Sequence, residues 1–393
     1  MMRFQPAVDT SAEDALRSEV RDFLAEELPP GTYRPALGFN ARHSPEFSRK
    51  LAERGWLGMA IPSQYGGRDR GPVDRFIVSE ELLAAGAPVA AHWVADRQTA
   101  PALVAFGTEI QKQHFLARIT RGECFFSIGM SEPDAGSDLA SVRTTGTRVE
   151  GGWSVSGTKI WTSWAHLNHF FIALCRTSPR GDDRHAGLSQ FIIDLSAPGV
   201  SINPILSLDG SQHFNEVVLD DVFVPDDMVL GEIGVGWQQV TSELAYERSG
   251  PERFLSSWHL LKSYLDEGAH VTSGRPGSPG GEGGSSLEAE RIGGLVARYW
   301  VLHHLSLSVA RALQRGSAPV VEAAMVKDLG TSFEQEVVAT LQGLVEDDPD
   351  PTSSSLFESL LAEAILVAPS FTIRGGTTEI LRSVIARDLG RGR

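Results

Sequence analysis

Residues 129–141 read "GMSEPDAGSDLAS". Glu-Pro followed by Ala-Gly-Ser makes a tight polar turn between apolar segments, and its backbone N–H groups and small hydroxyls can closely approach a flat, hydrogen-bonding ligand. By composition alone the stretch is equally a loop joining a helix to a strand. Before it the chain reads as helix. Leu16, Val20, Phe23 and Leu24 follow helical spacing. "HSPEFSRKLAERGW" (43–56) opens with Ser44 and Pro45, an N-cap and a first-turn proline. "AIPSQYGGRDRGP" (60–72) is a loop by its Gly and Pro content, and residues 74–88 and 108–123 are amphipathic helices. After it the texture turns to strand: "GGWSVSGTKIWTS" (151–163) alternates Trp153 and Val155 against small polar residues behind a Gly-Gly turn, and "HFFIALCR" (169–176), "SQFIIDLS" (189–196) and "NEVVLDDVFVP" (215–225) are short, apolar and bounded by turn residues. "GEIGVGW" (231–237) has a phosphate-loop-like glycine spacing without a following Lys-Ser/Thr, so it reads as a turn.

From Gly234 onward helices resume, interrupted by "VTSGRPGSPGGEGGSS" (271–286) and "EDDPDPTSSS" (346–355). The first of these has no apolar residue after Val271 and predicts a flexible surface excursion over 272–286. Ile380, Leu381, Val384 and Ile385 fall on one stripe of the last helix. The predicted fold is mainly α with a central β domain: helical residues 1–123, a β unit over 124–232, and helices over 233–393.

The chain has 393 residues, enough for two or three packed units. A formal charge of −15 argues against a nucleic-acid partner, which needs a basic footprint. It does not exclude an anionic ligand held by a few local arginines. No apolar run approaches membrane-spanning length, and the N-terminal stretch has no signal-peptide core, so a cytoplasmic location is expected. Cys124 and Cys175 are expected to be reduced, buried thiols, and no metal-ligand spacing is present.

The fragments together resemble the acyl-CoA dehydrogenase family. "GMSEPDAGSD" is similar to its signature loop and residues 106–123 to the segment leading into it. "GTKIWTSWA" (157–165) resembles its flavin-facing strand, residues 217–237 the end of its β domain, and "IRGGTTEILRSVIAR" (373–387) its C-terminal turn and helix. These pieces occur in family order across nearly the whole chain. The resemblance implies an N-terminal helical domain, a β-barrel-like middle and a C-terminal four-helix bundle. It also implies FAD as cofactor and α,β-desaturation of an acyl thioester, carried by CoA or by acyl carrier protein. Electron-transferring flavoprotein is the implied acceptor. Position by position, it implies Ile128, Met130 and Ser131 beside the isoalloxazine, and Gly136 and Ser137 at the pyrophosphate. Trp161 would pack on the flavin edge, with Ser163 near N5 and Thr377 and Glu379 where the C-terminal turn meets the cofactor. Ser137, Tyr246 and Arg248 are the implied substrate contacts.

The reaction needs a carboxylate on the face opposite the flavin to take the α-proton, and hydrogen bonds to the thioester carbonyl. Many family members carry a glutamate where this chain has Gly375. In others, resembling isovaleryl-CoA and long-chain acyl-CoA dehydrogenases, the base comes from a C-terminal-domain helix just before an arginine. "SELAYERSGPERF" (242–254) matches that pattern, with Glu247 preceding Arg248. Glu247 is therefore the implied base and Gly375 the implied amide donor. A glutamate in a dry acyl tunnel is expected to have a raised pKa. By residue type alone, Glu243 and Glu247 would read as a solvated helix face and Arg248 as a structural ion-pair partner. The glycine pair at 375–376 leaves room for a bulky acyl group.

Two family features are weak. The Arg-x-x-Phe-Gly segment that reaches the neighbouring subunit's FAD is absent around residues 272–286, and "LQGLVEDDPDPTSSS" (341–355) poorly matches the family's late Gln-x-x-Gly-Gly loop. The resemblance therefore extends to heteromeric actinobacterial members, some acting on steroid side-chain CoA thioesters, in which one chain supplies the base and the other completes FAD binding. A homo-oligomer or a heterotetramer with a homologous subunit is expected. A non-catalytic half-site partner and a flavin oxidase or monooxygenase on the same fold are the alternatives.

Overall fold

A computed structural model describes residues 9–29, 31–37, 41–242, 248–271 and 282–390. In chain order the first helices are α1 (Ser11–Glu27), α2 (Pro45–Glu53), α3 (Pro72–Ala84), α4 (Ala90–Val94), α5 (Ala100–Phe106), α6 (Glu109–Gln111) and α7 (Ala117–Thr120). Strands β1 (Phe126–Gly129), β2 (Thr145–Val149), β3 (Gly152–Ser163) and β4 (Phe170–Arg176) follow. After them come β5 (Leu188–Asp194), β6 (Val200–Leu206), β7 (Gln212–Pro225) and β8 (Val229–Leu230). The remaining helices are α8 (Gly236–Ser242), α9 (Trp258–Val271), α10 (Glu282–Gln314), α11 (Val320–Gln342), α12 (Leu356–Val367) and α13 (Thr378–Asp388). Among the described residues no helix is long and apolar enough to cross a membrane.

The chain divides into two compact units. One comprises Met1–Ala41, Pro72–Ala87 and Arg248–Arg393. Its core joins Phe254, Leu260, Leu302, Phe333, Leu360 and Phe371 from the later helices. The expected helical segment 1–123 is shared between the units, because α1 and α3 are tied to α10 by charge. Arg17 donates to Glu80 at 2.7 Å, His303 meets the same carboxylate at 2.6 Å, and Arg311 bonds Glu13 at 2.9 Å.

The other unit, Arg42–Gly71 and Pro88–Glu247, is built on an eight-stranded mixed sheet in the order β6-β7-β3-β2-β4-β5-β8, with β1 parallel to β4. Buried Phe171, Phe191, Val217 and Val222 form the core under one part of the sheet. Phe115, Phe126, Ile172 and Ile192 join sheet to helix under another. The four strands expected from sequence are β3, β4, β5 and β7. Strands β1, β2, β6 and the two-residue β8 were not expected. β6 carries Pro204 and an exposed pattern, as suits an edge strand, where a missing N–H costs little.

One boundary differs from expectation. Residues 272–281 of the expected excursion lie outside the described residues, but Glu282–Ser286 are helical and open α10. Gly and Ser are poor helix formers. Extending an existing helix costs far less than nucleating one, and residues 287–313 supply the nucleus. The turn at 231–235 leads into α8, as expected. Cys124 and Cys175 are buried free thiols whose pKa values burial pushes up to about 11 and about 12.

Each unit buries a neutral histidine. His92 sits with Nδ1 2.8 Å from the Ser48 hydroxyl, and His259 has Nε2 3.2 Å from the Leu83 carbonyl. Burial pushes each pKa down to about 4. An unfolded histidine titrates near 6.5, so below that pH the unfolded chain binds protons the fold refuses, and stability falls as pH drops toward 4. At about 1.4 kcal/mol per pH unit, the expected loss is about 3 kcal/mol per histidine by pH 4. Denaturant midpoints measured across this range should fall. His92→Gln and His259→Asn should each flatten the slope, and an unchanged slope in both would remove this assignment.

Candidate active site

The signature loop is held by one buried ion pair. Lys159, in the second half of β3, is fully buried, and its Nζ donates to Glu132 Oε1 at 2.8 Å and to the Met130 carbonyl at 3.2 Å. Glu132 also accepts the backbone N–H of Arg143 at 2.6 Å and of Thr144 at 2.9 Å. Its own backbone closes a tight turn with Ala135. Burial opposes ionisation of this carboxyl, but the Lys159 charge and the converging donors outweigh it and hold it below the usual carboxylate range. Both ends of the loop are thus fastened to one side chain.

With the loop fastened, Ser131 lies across β3, its carbonyl accepting the Ile160 N–H at 3.0 Å. Its hydroxyl has no partner among the described residues. Gly129 is required for this approach, because a Cβ there would stand 2.6 Å from the Phe171 ring. Ile128, Met130 and Ser131 are half-buried, while Gly136 and Ser137 are exposed at the loop tip, where a Cβ on Gly136 would meet nothing.

β3 then breaks pattern. Its pairing with β7 shifts register between Lys159 and Thr162, and Trp161 within the bulge adopts φ 60°. For a bulky residue this conformation is an outlier that costs about 1–3 kcal/mol. The indole is 54% exposed and touches Phe214 edge-on at 5.7 Å. An aromatic turned outward at an energetic cost points to a ligand. Two residues on, Ser163 Oγ is 3.0 Å from His213 Nε2, and the Ser163 carbonyl accepts the Ser127 hydroxyl at 2.7 Å. Sequence reasoning missed Lys159, Glu132 and His213. A single charged residue in a strand of otherwise small and apolar side chains, two residues before the tryptophan, was the available signal.

The second group of expected residues lies in the other unit. Gly375 and Gly376 adopt φ 66° and 98°, both in the left-handed region. Arg248, buried, donates from Nε to the Gly375 carbonyl at 3.3 Å, and Lys327 donates to the Gly376 carbonyl at 2.7 Å. Arg374, just before the turn, bonds the Glu252 carbonyl at 3.2 Å, Ser256 Oγ at 2.5 Å and Glu334 at 3.2 Å. Burial pushes the Arg374 pKa down to about 10 and raises that of Glu334. Thr377 is the N-cap residue of α13, and Glu379 is exposed in its first turn. The Glu379 backbone N–H and the Thr377 side chain hold that carboxyl below its usual range. Tyr246 and Glu247 lie outside the described residues, as does Glu243.

The sheet-bearing unit presents an outward indole, small hydroxyls and an open glycine loop, a surface matched to a flat, hydrogen-bonding ligand. Residues 10–123 match the acyl-CoA dehydrogenase N-terminal domain, and residues 127–222 match the acyl-CoA dehydrogenase middle domain. Over 392 residues the chain is 32% identical to acyl-CoA dehydrogenase FadE29 of Mycobacterium tuberculosis, covering 96% of each. Among solved structures it is similar to the Tcur3481-Tcur3483 steroid ACAD, with TM-score 0.83 and 26% identity, covering 100% of this chain and 99% of that one. It is similar also to the ChsE4-ChsE5 complex of Mycobacterium tuberculosis, with TM-score 0.80, 28% identity and full coverage of both chains. The chain belongs to the acyl-CoA dehydrogenase family. It is accordingly an oxidoreductase acting on acyl-CoA, and its cofactor is FAD.

The residues present fit that cofactor: an exposed indole for the ring edge, an unpartnered Ser131 hydroxyl, Ser163, and a loop tip clear of side chains at Gly136.

Proposed function

We propose that this chain is the base-supplying subunit of an FAD-dependent acyl-CoA dehydrogenase that desaturates a bulky acyl thioester between its α and β carbons. One observation carries the reading. Arg248, the residue directly after Glu247, is hydrogen-bonded to the Gly375 carbonyl, at the turn where other family members carry their base. Arg248 thereby ties the sequence position that follows Glu247 to the turn that has lost its glutamate.

In this reading the Glu247 carboxylate takes the α-proton, the Cα–H electron pair becomes the new Cα=Cβ bond, and the β-hydrogen leaves with its pair of electrons. FAD, when bound, accepts that hydride at N5. The Gly375 amide donates to the thioester carbonyl and stabilises the developing enolate. Ile128, Met130, Ser131, Trp161 and Ser163 hold the ring system. Gly136 and Ser137 hold the pyrophosphate, with Ser137 also meeting the thioester, and Thr377 and Glu379 contact the cofactor from the C-terminal turn. Tyr246 and Arg248 orient the substrate. Electron-transferring flavoprotein removes the electrons afterwards, and the reaction takes place in the cytoplasm.

Two glycines in place of a glutamate open the acyl cavity, and the two complexes of 26% and 28% identity include one described as a steroid ACAD. Anaerobic flavin bleaching with a panel of acyl-CoA thioesters should favour ring-bearing or branched acyl groups by at least about 10-fold, the scale of one to two buried methylenes. Preference for short straight chains would contradict the bulky-substrate reading.

A second reading, a half-site partner without its own chemistry, draws on the same relatives, one of them a ChsE4-ChsE5 complex, and on the missing Arg-x-x-Phe-Gly segment. Expression alone and together with a homologous chain separates the two. A complex that binds flavin but whose activity ignores Glu247 would favour the partner role.

A further inference from the structure

α11 carries an ammonium group where a helix normally carries a methyl. Lys327 is fully buried, flanked on its helix by buried Ala323, Ala324, Val326 and Thr331. Lysine is almost never fully buried without a partner, because removing its charge from water costs several kcal/mol. Leu or Met would fill the same volume without that cost. The Gly376 carbonyl oxygen lies 2.7 Å from Nζ.

That carbonyl belongs to a turn with unusual freedom. Glycine loses more backbone entropy on ordering than any other residue, and here two occur in succession, both at positive φ. Left to themselves they would sample many orientations. Each residue of the turn is instead fastened from outside: Arg374 through its buried guanidinium, Gly375 through Arg248, and Gly376 through Lys327. In a planar trans peptide the carbonyl and the N–H point in opposite directions. Holding the Gly375 and Gly376 carbonyls therefore turns the Gly376 and Thr377 N–H groups away from their donors and, by fixing ψ at both glycines, fixes the turn that presents the Gly375 N–H. Neither N–H has an acceptor among the described residues.

We propose that Lys327 is a positioning residue for the substrate carbonyl: by capturing the Gly376 carbonyl it locks the diglycine turn so that the Gly375 amide stays aimed at the thioester oxygen. The inference rests on the proposed dehydrogenase reading and extends it to a residue that touches neither substrate nor cofactor. A glutamate at position 375 would restrict the turn through its own backbone and side chain. Where glycines replace it, an external clamp takes over that restriction.

The test uses FAD-loaded protein, with its partner chain if flavin binding requires one. In Lys327→Met the donor is lost at nearly constant volume. The kcat for flavin reduction should fall about 10²-fold, the effect of an ångström-scale misplacement, while KM changes less than threefold. Flavin content should be unchanged, and thermal stability should fall only modestly, by the cost of leaving the Gly376 carbonyl without its donor. The carbonyl stretch of a bound enoyl-CoA, shifted down in the wild type by the turn's hydrogen bonds, should move back toward its free value. If the Met variant does not fold, Lys327→Gln, which retains a donor on a shorter arm, should show an intermediate shift. A folded variant with the wild-type carbonyl stretch and kcat would overturn the proposal, as would a loss of thermal stability with kcat preserved. Wild-type enzyme that neither bleaches nor shifts the stretch with any acyl-CoA would overturn the dehydrogenase reading and this inference together.

Discussion

Glu247→Gln is expected to slow reduction of the enzyme flavin by its acyl-CoA substrate by roughly 10²–10⁴-fold, the usual worth of a positioned general base. Glutamine keeps the size and shape of the side chain but cannot accept a proton. The acyl cavity, the glycine turn and the flavin contacts all remain, so thioester binding should change only a few-fold. The loss therefore belongs in kcat, the mark of an interaction made in the transition state. Glu247→Asp should retain more activity than Glu247→Gln, since the carboxylate survives on a shorter arm. The same substitutions at Glu243, four residues earlier in the sequence, should leave the rate near wild type. Rapid-mixing measurements of the flavin band under anaerobic conditions read all of these directly.

The second large effect is on stability. Lys159→Met removes one member of a buried pair and leaves the Glu132 carboxylate 6% exposed without its counter-charge. Breaking such a pair costs about 3–5 kcal/mol. Glu132 also fixes the signature loop through two backbone amides, so the lost energy falls on the flavin-binding surface and flavin affinity should drop with it. The pH dependence has a defined sign. In the wild type the Glu132 pKa lies below its unfolded value, so its stabilisation is present above the unfolded carboxylate range and is lost as pH falls through the folded pKa. In Lys159→Met the orphaned carboxyl protonates more readily, so the gap between variant and wild type should narrow as the pH is lowered. Denaturant unfolding of flavin-free protein at several pH values measures this. A variant as stable as wild type at neutral pH would mean that the pair is replaceable by packing alone.

The sequence was most informative where local chemistry was unusual. The polar turn at 129–141 and the glycine pair at 375–376 are readable because each needs particular residues in a particular order. The structure gives both turns the anchoring that sequence reading had not assigned: Lys159 for the first, Arg248 and Lys327 for the second. The anchors were hidden because a lysine's partner lies far away in the chain. Lys327 precedes its carbonyl partner by 49 positions, and Lys159 follows Met130 by 29. Long apolar strands such as β4 and β5 were legible, while β1, β2, β6 and the two-residue β8 were not. β2 is polar and mostly exposed, β6 is an edge strand with a proline, and β1 is only four residues long. Assignment of α1 and α3 to the later helices was equally out of reach. It depends on ion pairs such as Arg311–Glu13, separated by 298 positions, and amphipathic periodicity identifies a buried face without identifying its partner.

Solvent exchange at the α-carbon tests the relocated base most directly. A thioester with sulfur in place of the β-carbon has α-protons but no β-hydride to give, so proton abstraction is isolated from oxidation. In deuterium oxide the wild-type enzyme should exchange the α-protons of such a ligand, and Glu247→Gln should bind it without exchanging them. Exchange at the wild-type rate in the glutamine variant would contradict the account.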